Sequence, residues 1–390
     1  MDSRDAWTIA LDRTIAEELG PYLLVHAVAA VTSRPSGHAV TCDPIVPGAR
    51  LFSAFALESV TLRNRAVVSP MTRLSASEDG RATAQMASYY GTFARGGWGL
   101  VETEATYIDE AHSQCRDRQP GLATEAQQEA WRAVVETVHA AGAAIFVQLQ
   151  HAGALAESRR YRPYTVAPTS VVPRSSKPLA VPREATEGDI AEIQESFARA
   201  AARAVAAGFD GVELHGANGY LIDQFLTDYS NGRTDRYGGS VANRARFAAE
   251  AVHAVRTAVP DGFPVGIRLT QPKSSDPDYA WPGGEGDAIT IFQAIATAGA
   301  SFLHLGSLHA VSDGRVGGSR LVALAAETTG AAVIANGALE DPRRAEQMLH
   351  DGADLVALAR GALANPDWPQ RVAGGRPLTG YDRSMSGPLA

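Results

Sequence analysis

Residues Gly211–Arg244 read GVELHGANGYLIDQFLTDYSNGRTDRYGGSVANR. The segment opens with a short apolar strand, Gly211–Leu214, and three polar side chains, His215, Asn218 and Tyr220, follow where that strand ends. A loop rich in Asn, Asp, Gly and Arg comes next, and a predicted helix follows the loop. A buried strand that carries polar groups to its C-terminal end is typical of active sites in (β/α)8 barrels.

The chain on both sides of this segment repeats the pattern of a short strand followed by a helical stretch. Apolar strands are predicted at Ala66–Ser69, Gly99–Glu104, Ala143–Gln148, Gly211–Leu214, Val265–Leu269, Phe302–Leu305, Ala332–Ala335 and Leu355–Leu358. Continuous apolar runs are expected for parallel strands that are buried on both faces. Eight such units predict an α/β fold, a single (β/α)8 TIM barrel. A doubly wound sheet is the competing arrangement, but no GxGxxG opens the first unit and eight units exceed its usual number.

The barrel is predicted to occupy residues 49–376, between two segments of different character. Residues 1–48 do not follow the strand–helix pattern and are predicted to form an N-terminal extension that is poorly ordered. The alternative is a helix that docks on a partner or covers the active site. Residues 377–390 are predicted to form a C-terminal tail.

Composition excludes several classes of function. The net charge of −8 is spread along the chain, so no basic patch predicts nucleic-acid binding. Cys42 and Cys115 are far apart and form no CxxC motif, which argues against a disulfide framework or an iron–sulfur cluster. The apolar run Tyr22–Val31 is too short to span a membrane, and acidic residues precede it, unlike a signal peptide. A cytoplasmic enzyme is the expectation, with its oligomeric state left open.

The predicted strand ends carry neutral donors and acceptors together with two arginines. They show no central pair of carboxylates, which argues against a glycosidase. His304 and His309 are predicted to be isolated packing or surface residues, so no metal site is expected. Asn336 and Gly337 follow the seventh strand and Arg360 follows the eighth. Backbone N–H groups after these two strands commonly bind phosphate in barrels, and an arginine adds a permanent charge, so a phosphate site is predicted.

From Leu51 to about Arg371 the sequence resembles the old yellow enzyme family, the FMN-dependent ene-reductases that fold as TIM barrels. The most specific match is the long signature His215–Phe247. Supporting segments are LRNRAVVSPMTR (Leu62–Arg73), YY…GLVETEAT (Tyr89–Thr106), VQLQHAG (Val147–Gly153), VGIRL (Val265–Leu269) and ARGALANPDW (Ala359–Trp368).

The resemblance implies which residues bind FMN. The positions that match the flavin-ring side are Pro70, Met71, Thr72, Ala105, Gln148 and Arg268. Thr72 would contact the flavin and tune its potential, and Ala105 would leave room for the ring. Gln148 and Arg268 would hydrogen-bond the pyrimidine, where a positive charge suits the anionic reduced flavin. The positions that match the phosphate end are Asn336, Gly337, Ala359 and Arg360.

The resemblance also implies three catalytic residues. His215 and Asn218 would donate hydrogen bonds to the oxygen of an activating carbonyl or nitro group. Tyr220 would protonate the substrate carbon opposite the hydride. NADPH or NADH would reduce FMN and leave, and flavin N5 would then transfer hydride to a small-molecule activated alkene. The expected function is therefore FMN-dependent NAD(P)H reduction of activated C=C bonds, without a nucleic-acid or membrane partner.

Three positions depart from the family pattern, and two other functions stay open. Gln150 replaces a residue that is often aromatic, Ala154 replaces an arginine, and Ala359 replaces a glycine before the phosphate arginine. Substrate preference is therefore not transferable from better-known relatives. One alternative is a flavin-binding sensor that has lost turnover. The other is a phosphate-sugar isomerase or aldolase barrel, in which Lys273 would form a Schiff base.

Overall fold

The computed structural model describes residues 49–157, 164–174, 179–273, 276–306 and 318–389. Within these residues, eight parallel strands close into a barrel, so the predicted (β/α)8 TIM barrel is confirmed. The extension predicted for residues 1–48 lies outside the described part of the chain.

The barrel strands are numbered β1 to β8 in chain order. Their bounds are β1 Ala66–Val68, β2 Leu100–Glu102, β3 Ala144–Gln150, β4 Gly211–Gly216, β5 Val265–Leu269, β6 Phe302–Leu305, β7 Ala332–Asn336 and β8 Leu355–Leu358. Each strand pairs in parallel with the next, and β8 pairs with β1. Strands β3 and β4 run two residues beyond their predicted ends, because Gln150 and His215 are polar yet remain buried in the sheet.

Helices surround the barrel on its outer face. Their bounds are α1 Ala84–Arg95, α2 Glu125–Ala140, α3 Glu187–Ala207, α4 Leu221–Leu226, α5 Val241–Ala258, α6 Glu285–Thr297, α7 Gly318–Thr328, α8 Pro342–His350, α9 Arg360–Ala364 and α10 Trp368–Ala373. Capping boxes begin α2 at Thr124 and α3 at Thr186, where each threonine oxygen accepts the third backbone N–H of the helix.

A β-hairpin before β1 was not expected from the sequence. It pairs Phe55–Leu57 with Val60–Leu62. Leu57 and Leu62 pack in one apolar cluster with residues from the lower part of the barrel interior. The hairpin therefore closes the N-terminal end of the barrel, leaving the opposite end for a ligand.

The barrel interior changes from apolar to polar along the strand direction. The lower cluster contains Val67, Leu100, Phe146, Phe302, Ile334 and Leu355. Two residues further along their strands come Glu102, Gln148 and His304, which face the same interior because side chains alternate along a strand. All three are buried. Polar side chains therefore line the upper half of the barrel, where most barrels hold branched apolar residues.

Arginine side chains fix the loop between α4 and α5. The Arg233 side chain binds Asp235 through Nε at 3.1 Å and donates from Nη1 to the backbone oxygen of Ala185 at 2.6 Å. Arg244 pairs with Asp287, with 3.4 Å between Nη2 and Oδ2. These contacts tie the loop to the segment before α3 and join α5 to α6.

Candidate active site

The residues predicted for the site gather at the C-terminal end of the barrel. Gln148, His215 and Arg268 are buried in adjacent strands, and His215 and Arg268 are direct partners in the register of β4 and β5. Thr72 and Arg360 lie at the same end but are exposed. The structure thus separates a buried floor inside the barrel from an accessible rim around it.

A tight turn after β4 brings the three predicted catalytic residues together. Asn218 has a φ of 59° and Gly219 a φ of 87°, a left-handed conformation that asparagine and glycine tolerate best. The Asn218 N–H donates to Thr270 Oγ1 at 3.1 Å, and the Gly219 N–H donates to Asp223 Oδ2 at 2.6 Å. The turn sets the rings of His215 and Tyr220 4.9 Å apart.

His215 is 5% exposed, and its Nδ1 has no hydrogen-bond partner among the described residues. Burial, followed by the positive charge of Arg268, lowers the pKa of His215 to about 3. The imidazole is therefore neutral at physiological pH and can offer an N–H without carrying a charge.

We expect the imidazole of His215 to stay neutral throughout the pH range in which an ordinary histidine titrates. Histidine NMR of the flavin-free protein would show no protonation of this ring between about pH 8 and pH 5, although the ordinary pKa is about 6.5. Protonation of His215 near pH 6 would contradict this account of the site.

Tyr220 begins helix α4 and is half-buried. Its hydroxyl is within hydrogen-bond reach of the Cys115 thiol. Burial, followed by Cys115, raises the pKa of Tyr220, while the nearby Arg116 acts in the opposite direction. Arg116 itself pairs with Glu157 at 3.0 Å. Tyr220 is therefore a protonated phenol with a cation nearby. Cys115 and Arg116 carried no sequence signal, because they reach the site from the long loop between β2 and α2.

Arg268 forms the centre of the buried floor. Its Nη1 donates to Ser69 Oγ and its Nη2 to Asn336 Oδ1, both at 2.9 Å. A Cβ at Gly306 would lie only 2.7 Å from Thr270 Cγ2, so the close approach of Thr270 requires a glycine next to Arg268. Asn336 donates its amide to the Ala357 carbonyl oxygen at 2.8 Å. Its side chain is thus engaged inside the barrel, beside Arg268, and the assignment of Asn336 to the phosphate end stays a prediction.

Three polar atoms at the barrel mouth lack hydrogen-bond partners within the described part of the chain. They are His215 Nδ1, Arg268 Nε and Gln150 Nε2. A buried polar group without a partner costs about 1–3 kcal/mol, so a ligand that supplies partners is favoured here. One guanidinium and several neutral amides fit the pyrimidine ring of a flavin, which carries carbonyl oxygens and ring nitrogens.

The predicted phosphate end lies on the neighbouring strands β7 and β8. Gly337 follows β7 with a φ of 143°, and Ala338 has a φ of 51°. Ala359 precedes Arg360, which begins helix α9 on the surface. The backbone turn and one exposed guanidinium are therefore available to an anionic group, and their assignment to phosphate stays a prediction.

A cluster of ionisable groups lies beneath the buried floor, and the sequence analysis did not identify it. His304 was expected to be isolated, but its Nδ1 lies 2.6 Å from Glu213 Oε2 and 3.2 Å from Glu102 Oε2. All three side chains have no exposed surface. The sequence did offer one indication of this cluster, because each of the apolar strands β2 (LVE) and β4 (GVELHG) contains a glutamate. The imidazole lies between the two carboxylates and is hydrogen-bonded to Glu213.

Lys273 does not have the surroundings of a Schiff-base lysine. Its Nζ donates to Asp223 Oδ1 at 2.8 Å, and both side chains are buried. The same ammonium lies 4.1 Å from the ring centroid of Tyr279. A catalytic lysine must present a free amine, whereas this ammonium is paired and holds the carboxylate that fixes Gly219. The aldolase alternative therefore loses its proposed nucleophile.

Comparison with known proteins gives consistent matches over nearly all described residues. The profile described as the NADH:flavin oxidoreductase / NADH oxidase family matches residues 50–379. A putative 12-oxophytodienoate reductase 2 of Oryza sativa subsp. japonica is 36% identical, with 86% of this chain and 89% of that protein aligned. The solved structure of morphinone reductase is 32% identical with a TM-score of 0.78, covering 88% of this chain and 94% of that one.

A longer relative also matches. The NADH oxidase of Thermoanaerobacter brockii is 34% identical over 84% of this chain, which spans only 51% of that protein. A search of the described residues for an apolar helix long enough to cross a membrane found none.

Proposed function

Because the chain belongs to the NADH:flavin oxidoreductase / NADH oxidase family and is an FMN-dependent oxidoreductase, we propose that it reduces activated C=C bonds. The substrates would be α,β-unsaturated carbonyl or nitro compounds, with NADH or NADPH as reductant. The observation that carries the proposal is the grouping of a neutral His215 and a protonated Tyr220 at the barrel mouth. Relatives named as reductases of 12-oxophytodienoate and of morphinone support a small organic substrate.

Residues 49–376 would form the FMN-binding barrel. Gln148 and Arg268 would contact the pyrimidine, and Ala105 and Thr72 would lie along the ring edge, with backbone contacts from Pro70 and Met71. The phosphate would meet the backbone at Gly337 and Ala359 and the guanidinium of Arg360. FMN, when bound, supplies the redox chemistry, since it accepts hydride from a nicotinamide and passes it to the β-carbon of the alkene.

His215 and Asn218 would hold the oxygen of the activating group. A neutral imidazole suits this role, because it donates a hydrogen bond to developing negative charge without binding anions permanently. The turn fixes the backbone of Asn218 through Thr270, which holds this residue close to His215. Donors fixed before the reaction need no reorganisation during it, which is the main source of their effect.

Tyr220 would supply the proton to the α-carbon. Its raised pKa keeps the phenol protonated at neutral pH, as a general acid requires. After the transfer the tyrosinate would be stabilised by Arg116, which acts to lower the pKa of this phenol. The Arg116–Glu157 pair is partly exposed and so gives this side of the site access to solvent for reprotonation.

A steady-state experiment tests the proposal. The purified protein, saturated with FMN, is supplied anaerobically with NADH or NADPH and 2-cyclohexenone, and both nicotinamide oxidation and cyclohexanone formation are followed. We expect equal amounts of the two products. Nicotinamide-dependent bleaching of the flavin without reoxidation by any enone or nitroalkene would favour the sensor alternative. A protein that cannot bind FMN would contradict the proposal itself.

A further inference from the structure

The layer of side chains beneath the candidate cofactor floor is unusual for a barrel. Alternate strands contribute the four members of each interior layer. Strands β2, β4, β6 and β8 supply Glu102, Glu213, His304 and Ala357. Three of these four are ionisable and fully buried, whereas branched apolar residues dominate such layers in other barrels. We call Glu102, Glu213 and His304 the ionisable layer.

Hydrogen bonds are distributed unevenly within the ionisable layer. The shorter contact of His304 Nδ1 is with Glu213, which also accepts a 2.7 Å hydrogen bond from Gln148 Nε2 at Oε1. Neither carboxyl oxygen of Glu102 has a hydrogen-bond donor among the described residues. A buried carboxylate without donors is strongly disfavoured, and the usual response is to bind a proton. Glu102 is therefore the member whose charged form is least stabilised.

The ionisable layer is coupled to the floor above it. Gln148 bonds directly to Glu213, and the charge of Arg268 acts on Glu102, Glu213 and His304 alike. With both carboxyls ionised and His304 protonated, the layer carries one net negative charge, which Arg268 balances. Additional negative charge beside Arg268 would weaken that balance and favour protonation of a carboxylate.

The pKa values of the three groups are displaced in different directions. Burial, and then the charge of Glu213, raises the pKa of Glu102 to about 7, against the opposing effects of His304 and Arg268. Burial opposes the charged forms of the other two, but their mutual attraction lowers the pKa of Glu213 and raises that of His304. At neutral pH, Glu102 is thus the group poised to exchange a proton.

We propose that the ionisable layer stores a proton, with Glu102 taking one from solvent when a flavin bound at Arg268 and Gln148 is reduced and releasing it on reoxidation. This inference rests on the proposed function. The hydride from the nicotinamide carries both electrons and the hydrogen that remains on the flavin. The separate proton comes from water and converts the Glu102 carboxylate to a carboxylic acid. Glu102 touches no reacting atom and acts through Arg268 as a positioning group.

Proton uptake during reduction tests the inference. The FMN-loaded protein is reduced anaerobically with NADH in weak buffer containing a pH indicator, from about pH 6 to pH 9, a range that brackets a group titrating near neutrality. Hydride transfer alone consumes no solvent proton. We therefore expect uptake that is small at the acid end, rises above pH 7 and falls again at the alkaline end of the range in the native protein. The Glu102→Gln variant should take up none.

An exposed residue provides the matched control. Glu192→Gln, on the outer face of α3, should leave proton uptake unchanged, because Glu192 is 69% exposed. If the native protein takes up no proton, or the Glu102→Gln variant takes up as much as the native protein, the inference is overturned. Loss of flavin binding by the native protein would instead overturn the proposed function as well.

The flavin-free protein offers a second readout. A carboxyl whose folded pKa is raised binds more protons in the folded than in the unfolded state, so stability falls as pH rises from its ordinary range to about 7. The Glu102→Gln variant should lack this loss, and its denaturation midpoint should improve relative to the native protein over that window. Glu102→Leu, which restores an apolar layer, should behave in the same way if the glutamine variant does not fold. Parallel pH profiles would contradict the inference.

Discussion

Replacement of Tyr220 by phenylalanine is expected to slow the alkene half-reaction by about 10²–10⁴-fold, the usual contribution of a positioned general acid. The substitution removes only the hydroxyl, so the ring should keep its contact with His215 and with the apolar neighbours of Cys115. Reduction of the flavin by NADH requires no proton from this residue and should continue at a similar rate. Stopped-flow measurement of the two half-reactions separates these effects.

A substitution of the neighbouring Cys115 serves as the control for Tyr220→Phe. Cys115→Ala keeps the phenol and removes the thiol, so its effect on enone reduction should be small compared with that of Tyr220→Phe. Enone reduction at the native rate in the Tyr220→Phe variant would show that another group supplies the proton, and the assignment of Tyr220 would then be wrong.

Substitution of His215 by alanine is expected to reduce the rate of enone reduction by about 10²–10³-fold, as found for loss of one donor to a developing oxyanion. The reason is the neutral, buried imidazole, whose Nδ1 has no hydrogen-bond partner among the described residues. His215→Asn retains an amide donor and should recover part of the lost rate. FMN absorbance should be unchanged in both variants.

An equal effect of His215→Ala on both half-reactions would contradict this role. If His215→Ala weakened FMN binding and slowed both half-reactions equally, the histidine would act in the flavin floor and not on the substrate oxygen. Both half-reactions must be compared because His215 and Arg268 are direct neighbours on β4 and β5.

The barrel was predictable because its strands are buried on both faces and so appear as apolar runs between helical stripes. The errors lay at the strand ends. Gln150 and His215 were placed outside their strands, since a polar residue normally marks the end of an apolar run, but both continue the pairing with their side chains inside the barrel. The hairpin at Phe55–Leu57 was missed because two three-residue strands give too little periodicity to detect.

The part of the site whose residues lie close together in the sequence was predictable. His215, Asn218 and Tyr220 lie within six residues, and one turn brings them together. The ionisable layer could not be predicted in this way, because Glu102 and His304 are far apart in the chain and meet only through the layering of alternate strands. The side-chain contacts of Asn336 likewise depend on its neighbour Arg268, which sequence position alone does not reveal.

The central claim, that this barrel passes hydride from bound flavin to an activated alkene, is tested most directly by a single turnover without nicotinamide. The FMN-loaded protein is photoreduced under anaerobic conditions and mixed with 2-cyclohexenone, while flavin absorbance and products are recorded. We expect full reoxidation of the flavin together with one equivalent of cyclohexanone. Reduced flavin that persists in the presence of both cyclohexenone and a nitroalkene would contradict it.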